Sequence, residues 1–463
     1  MNLENLKYVY FLGAGGIGMS ALGRYFLQRE KIVSGYDKTP TPLTNSLIEE
    51  GMKITFVDSI DTIPEEFKSE ENLKASLVIY TPAIPKNNIQ LNYFIENGIQ
   101  IYKRAEILGI ISSNHKTIAV AGTHGKTTTS TLIAHILQQA GMNPVAFLGG
   151  IAVNYNSNYL PGSPSSLLVV EADEYDRSFL KLNPFCSVIT STDADHLDIY
   201  GERKELIHSF NLFAEKNDTN GILITKAGIE LDEKWVANSK KYNTKQPAEI
   251  YLSNCTLKED IYHFSINIEG HEIEDLTLGL GGFHNVENAL AAVAVCYYQG
   301  VNDDAIRKSL ENFKGIKRRF EYIIRNEEHI YIDDYAHHPE ELSACISSVK
   351  ALYPSKKITG IFQPHLFTRT RDFINEFASS LSLLDEVILL EIYPARELPI
   401  EGVTSTALLN KIKAGNKILC SKENLLDTIS NRNPELLLTL GAGDIDQFVE
   451  PLKKLLTSKI QVK

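Results

Sequence analysis

Cysteine is scarce in this sequence: Cys186, Cys255, Cys296, Cys345 and Cys420 are scattered through 463 residues, odd in number and without a CxxC pair. That argues against both a disulfide framework and a thiolate zinc site, and a reducing cytoplasm fits best. No run of about 18 uninterrupted apolar residues occurs, so no membrane insertion is expected. Met1 to Lys7 lack the basic segment and apolar stretch of an export signal. An excess of positive charge is missing too, with 46 Lys plus Arg against 58 Asp plus Glu and a formal charge of -12. This weighs against a nucleic-acid binder and leaves anionic metabolites as partners. Repeats and low-complexity tracts are absent. What remains is a globular composition, 43% hydrophobic and 22% charged, long enough at roughly 100 to 200 residues per domain for two to four domains.

Three stretches alternate strand and helix patterns. In the first, the apolar run Tyr8 to Leu12 meets Gly13-Ala14-Gly15-Gly16-Ile17-Gly18, and Met19 to Leu27 has helical spacing; Lys31 to Tyr36 and Ala75 to Tyr80 read as further strands. In the second, Ile118 to Ala121 runs into Gly122-Thr123-His124-Gly125-Lys126-Thr127-Thr128 and a helical stretch from Ser130 to Gln139. Leu167 to Val170 and Ser187 to Thr190 continue its sheet, Asp232 to Gln246 reads as irregular surface, Ile250 to Leu276 as an antiparallel hairpin, and Asn285 to Tyr298 as a helix. The third begins near Lys317, with strands at Ile330 to Ile332, Lys357 to Phe362 and Val387 to Leu390 and helices at Pro339 to Leu352 and Phe373 to Leu381. Three α/β domains with mostly parallel sheets are the simplest partition.

The segment 122–128 carries the strongest chemical signal. Backbone N–H groups of a Gly-rich turn at a helix start surround phosphate oxygens, a lysine neutralises the terminal phosphates and a hydroxyl ligates Mg²⁺. Lys126 and Thr127 fit those roles, although Val120 stands where the strict GxxxxGK[ST] spacing has its first glycine. Gly13-x-Gly15-x-x-Gly18, with Asp37 after the next strand, has dinucleotide-fingerprint spacing. It is compatible with an NAD-type cofactor, with another pyrophosphate compound such as a nucleotide sugar, or with a bare tight turn. Glu171-Ala172-Asp173-Glu174 and the run Thr190 to Asp198 each follow a strand, where hard ligands would face the phosphate crevice; Glu171 and His196 are the metal candidates. Asn285 and Asn288, three apart on one helix face, suit the edge of a purine, and equally a helix cap with an exposed amide. Lys317-Arg318-Arg319-Phe320, Asp333-Asp334-Tyr335-Ala336-His337-His338-Pro339 and Gln363 to Arg371 form polar knots at strand ends, with cations suited to phosphoryl or carboxylate groups. Adjacent His337 and His338 lack a third ligand at helical spacing, which disfavours zinc.

With these residues the chain resembles the Mur ligases, the ATP-dependent amide-bond-forming enzymes of peptidoglycan synthesis. The likeness rests on AGTHGKTT (121–128), EADEYDRSFL (171–180), DADHLDIYG (193–201), FHNVENALAA (283–292), KRRFE (317–321), DDYAHHP (333–339), FQPHLFTRTRDF (362–373) and LGAGDI (440–445). It implies a Rossmann-like UDP-sugar domain over 1–112, a central P-loop ATPase domain over 113–317 and a C-terminal Rossmann-like domain over 318–463. The implied partners are UDP-N-acetylmuramate, L-alanine and ATP with Mg²⁺ or Mn²⁺, in a monomer or weak homodimer. By resemblance, Gly122, Thr123, His124, Gly125, Lys126, Thr127 and Thr128 hold the ATP phosphates, Asn285 and Asn288 the adenine, and Arg319 and Asp334 phosphate and ribose. Thr127, Glu171 and His196 ligate metal; Gly13, Gly15, Gly16, Ile17, Gly18, Met19, Asp37 and His124 bind the UDP-sugar; His337, His365 and Arg369 surround the amino acid and the muramoyl carboxylate.

Later ligases of the pathway carry a modified lysine beyond the metal histidine. The corresponding positions here are Phe210 and Asn211, which points to the first, alanine-adding step. Two residues depart from the common pattern: Leu366 stands where many relatives have arginine, and Tyr175 where serine is frequent. The second is a step towards the tripeptide-recycling branch, the alternative within the family; folylpolyglutamate synthase is more distant. A nucleotide-binding regulator without ligase activity would not need Lys126, Glu171, His196, Arg319 and Asp334 together.

Overall fold

The computed structural model describes residues 3–163, 166–193, 197–245, 248–395 and 397–458. By their internal contacts these form two compact units, one of residues 1–256, 263–277 and 287–313, the other of 257–262, 278–286 and 314–463.

The first unit holds two sheets. Five parallel strands lie in the order Lys53–Thr55, Ile32–Tyr36, Tyr8–Leu12, Ser76–Tyr80, Ile101–Lys103. All five residues of Tyr8–Leu12 are buried, as expected for a central parallel strand covered on both faces. The chain leaves it through Gly13, whose φ of +88° favours glycine, into helix Ile17–Gln28.

The second sheet has ten strands, with Thr117–Ala121 in its interior between Leu168–Glu171 and Cys186–Ile189, parallel to both. Beyond Leu168–Glu171 come Val145–Ala152 and Ser157–Pro161; on the other side come Ile222–Lys226, Lys240–Asn243 and Ile250–Lys258, then Ile261–Ile268 and His271–Leu278. The stretch expected to be one hairpin is therefore three strands joined by two-residue turns, with positive φ at Glu259, Asp260, Glu269 and Gly270, the backbone such short turns need. The expected irregular surface from Asp232 likewise contains helix Glu233–Asn238 and strand Lys240–Asn243. Its polar composition conceals fully buried Tyr242 and half-buried Trp235, which packs on the core.

Helix Ile17–Gln28 is fastened to this second sheet. The Asn158 amide, wholly buried, donates to the Ile17 carbonyl at 2.5 Å and to Ser20 Oγ at 3.0 Å, and its oxygen accepts from Arg24. Arg24 in turn holds Glu50 through two hydrogen bonds of 2.7 and 2.6 Å. Tyr25, Phe147 and Tyr159 pack their rings at 5.4 to 6.3 Å in the same junction.

The second unit is a six-stranded sheet ordered Glu321–Arg325, Ile330–Asp334, Leu436–Leu440, Ile358–Phe362, Glu386–Leu389, Asn416–Leu419, parallel except at its first edge. Alternate residues feed two cores: Ile332, Leu436 and Leu438 belong to one, Tyr331, Ile361 and Leu437 to the other. That is the period-two pattern of a doubly wound sheet with helices on both faces. Helices Pro339–Leu352 and Ile374–Leu381 lie where the sequence places them, and a further short helix, Phe367–Asp372, forms within the stretch read as a polar knot. Among the described residues no helix is long and apolar enough to cross a membrane.

Candidate functional site

Gly122 and Gly125 shape the loop after Thr117–Ala121. Their φ angles are +135° and +83°, and a Cβ would come within 2.8 Å of the Ser191 nitrogen at the first and 2.6 Å of Asn288 Oδ1 at the second. Gly125 is the N-cap of helix Lys126–Gln139, so the helix begins at the lysine, earlier than its apolar spacing suggests. Neighbouring strand ends brace the loop: Ser191 Oγ lies 2.9 Å from Thr123 Oγ1 and accepts from the His124 backbone N–H at 2.8 Å, and Thr123 Oγ1 accepts from the Asp193 N–H at 3.1 Å. Lys126 turns back into the loop, donating to the Gly122 carbonyl at 2.7 Å and to Glu174 at 2.9 Å. Burial alone would lower its pKa, but Glu174, Glu171 and Asp173 together raise it, so the ammonium stays charged. Thr127 and Thr128 are buried beside it.

Glu171 ends the strand next to the loop. Its Oε2 is buried without a hydrogen-bond partner, and its carboxylate rests on Gly149, where a Cβ would sit 2.6 Å from Cδ. An unsatisfied, buried carboxylate oxygen at the end of the strand beside the loop is a hard donor of the kind Mg²⁺ takes, and the loop's Thr127 hydroxyl is another. His196, the third metal candidate, lies outside the described residues.

Glu171 and Asp173 also line a cavity of about 260 Å³ with Gly16, Ile17, Gly18 and Arg104. The glycine-rich turn and the metal candidate thus open onto one space. Arg104 lies over Gly18, its Cζ 3.0 Å from where a Cβ would stand, and reaches Asp173 at 3.5 Å. Asp37 accepts the Gly15 N–H at 2.7 Å, which fixes the turn. Sequence reasoning missed Arg104 and Gly149, because their partners are distant in the chain.

Asn288 accepts a hydrogen bond from Thr129 Oγ1 at 3.4 Å, whereas the Asn285 amide donates to the Gly281 carbonyl at 2.7 Å, closing the turn at its own helix start.

In the second unit, Asp334 accepts backbone N–H groups of Phe320 and Ala336, both at 2.7 Å. Burial raises its pKa to about 6 against the opposing effect of Arg319. Arg318 and Arg319 each lie 5.1 Å from the Tyr335 ring centre. Arg318 is tied to Asp333 at 3.2 Å and to the Gly441 carbonyl at 2.6 Å, a structural commitment. His337 and His365 have ring centres 6.1 Å apart, and His365 stacks on Tyr393 at 5.7 Å. Burial lowers the pKa of both, His365 to about 4 with His337 and Arg369 contributing, so both imidazoles are neutral near pH 7. His365 Nδ1 is buried and without a partner. His338 packs instead on Phe373, at 4.8 Å. Leu366 takes a φ of +71°, uncommon for a branched residue, with its N–H held by the Tyr393 carbonyl.

Three family models cover the chain: "Mur ligase family, catalytic domain" over 8–116, "Mur ligase middle domain" over 120–296 and "Mur ligase, glutamate ligase domain" over 318–443. The UDP-N-acetylmuramate–L-alanine ligase of Cytophaga hutchinsonii is 47% identical over 459 residues, 98% of each chain. That of Phocaeicola vulgatus is 46% identical over 461 residues, 99% of this chain and 100% of its own. Among solved structures, UDP-N-acetylmuramate-alanine ligase from Thermotoga maritima superposes with a TM-score of 0.82 at 27% identity, covering 98% of this chain and 99% of its own. A murein peptide ligase from Psychrobacter arcticus, at 21% identity and a TM-score of 0.70 over 97% and 98%, shares the fold. From its phosphate loop to its three sheets, the chain belongs to the Mur ligase family.

Proposed function

We propose that the chain is an ATP-dependent ligase joining L-alanine to the lactoyl carboxylate of UDP-N-acetylmuramate in cytoplasmic peptidoglycan precursor synthesis. The observation that carries this reading is the shared cavity: the glycine-rich turn, suited to a diphosphate, opens onto Glu171 on the strand beside the phosphate loop. A nucleotide sugar held by the turn would present its acyl end towards the ATP side, which favours a nucleotide sugar over NAD. The relatives' printed activity agrees with it.

In the reaction the lactoyl carboxylate attacks the γ-phosphorus of ATP, ADP leaves and an acyl phosphate forms; the alanine amine adds to the acyl carbon and phosphate leaves. Such chemistry asks the protein for positioning and charge compensation rather than for a nucleophile. Lys126 neutralises the β and γ phosphates while the loop N–H groups surround them. Arg319 and Asp334 hold nucleotide phosphate and ribose, and Asn285 and Asn288 the adenine. His337, His365 and Arg369 receive the amino acid, the two imidazoles as neutral hydrogen-bonding groups at pH 7. Thr127 and Glu171, with His196, would hold Mg²⁺, which supplies charge compensation on the phosphates. The domain boundaries belonging to this reading are 1–112, 113–317 and 318–463.

The test is ADP formation with ATP, Mg²⁺, UDP-N-acetylmuramate and L-alanine. Turnover should need all of them; turnover that persists without the nucleotide sugar would reject the assignment.

A further inference from the structure

The Lys126 ammonium is fully engaged without any ligand. Its donors go to the Gly122 carbonyl at 2.7 Å, the Thr123 carbonyl at 3.5 Å and the Glu174 carboxylate at 2.9 Å. The Glu174 side chain has no exposed surface, and that of Lys126 is 13% exposed. Glu174 is itself held in place, its carbonyl accepting the hydroxyl of buried Tyr200 at 2.6 Å. Neither neighbouring carboxylate does this work: Asp173 faces Arg104, and Glu171 rests on Gly149. The ammonium therefore points inward, bound to loop carbonyls that would otherwise lie behind an incoming phosphate.

We propose that Glu174 is a positioning residue that parks Lys126 inside the phosphate loop, and that the terminal phosphates of a nucleoside triphosphate must draw the lysine away from it. This rests on the ATP reading above and adds to it a determinant of nucleotide affinity. Pulling apart a buried ion pair opposes binding, because the carboxylate left behind loses the Lys126 ammonium in a poorly solvated place. Removing the charge from residue 174 removes that opposition. A buried Lys126 that has lost its anion then gains more from the triphosphate than it does in the natural enzyme.

The experiment is calorimetric titration of ATP with Mg²⁺ into the full chain and its E174Q, E174D and Y200F variants, with KM for UDP-N-acetylmuramate measured beside it. E174Q should bind ATP about tenfold more tightly, with the sugar KM unchanged. E174D, which keeps the charge, should return most of the way to the natural affinity. Y200F, which frees the Glu174 backbone and serves if E174Q does not fold, should tighten ATP binding by a smaller factor. ATP affinity unchanged or weakened in folded E174Q, or in Y200F where E174Q does not fold, overturns the proposal. Failure of the natural chain to bind ATP would instead overturn the ATP reading itself.

Discussion

Gly149 shows how one missing side chain makes room for the carboxylate proposed to hold the metal. Glu171 reaches its position because nothing projects from residue 149, and its Oε2 is left there without a partner. A methyl group at 149 has to push the carboxylate aside. Gly149→Ala should therefore lower kcat by about 100-fold, the order seen when a group organising a transition-state charge is displaced, and raise the Mg²⁺ concentration needed for half-maximal rate. An unchanged Mg²⁺ dependence would remove Glu171 from the metal set. His284 provides a second single-residue test, this one on stability. Burial, with Arg319 nearby, lowers its folded pKa to about 4 from 6.5, so the unfolded chain takes up a proton first as the pH falls. Its contribution is complete above about 6.5 and is lost towards about 4, with a limiting slope of about 1.4 kcal/mol per pH unit. Urea unfolding across that window should show the slope, and His284→Gln should flatten it.

Helix Ile17–Gln28 and its contacts explain why the first two sheets belong to one compact unit. Asn158→Ala would leave the Ile17 carbonyl and one arm of Arg24 without their buried partner, at a cost of about 1 to 3 kcal/mol. Thermal unfolding should register that loss. KM for the nucleotide sugar should also rise, because the helix starts at the glycine-rich turn; an unchanged KM would mean that the junction does not position the turn. The same elements show what was legible from sequence. The strand-turn-helix units at 8–28 and 117–139 are local patterns of apolar spacing and glycine, and both form in those places, although the second helix starts at Lys126, ahead of its apolar spacing. Strand Lys240–Asn243 was hidden because four mostly polar residues bury a single large side chain, Tyr242. The three strands from Ile250 looked like one hairpin because neither two-residue turn carries proline and only Gly270 marks the second. Within the site, the motif residues could be named from their types and spacing. Arg104 over Gly18, Glu171 on Gly149 and Glu174 on Lys126 could not, because each pairing is made by the fold between segments far apart in the chain.

For the molecule as a whole, ATP chemistry is assigned to the phosphate loop and nucleotide-sugar binding to the glycine-rich turn, on separate sheets. Lys126→Ala should thus abolish ATP turnover and leave UDP-N-acetylmuramate binding, measured by calorimetry, within about twofold of the natural chain, a difference of about 0.4 kcal/mol. Equal loss of both would contradict that division. The alanine-adding reaction remains the central claim, and Tyr175, exposed on the turn after Glu174, is the feature that leans towards a tripeptide substrate. The decisive measurement is the product mass after incubation with ATP, Mg²⁺ and UDP-N-acetylmuramate in the presence of equal amounts of L-alanine and the tripeptide L-Ala-γ-D-Glu-diaminopimelate. A nucleotide sugar heavier by one alanyl residue is the expected product; a nucleotide sugar carrying the intact tripeptide, with no alanyl product, would contradict it.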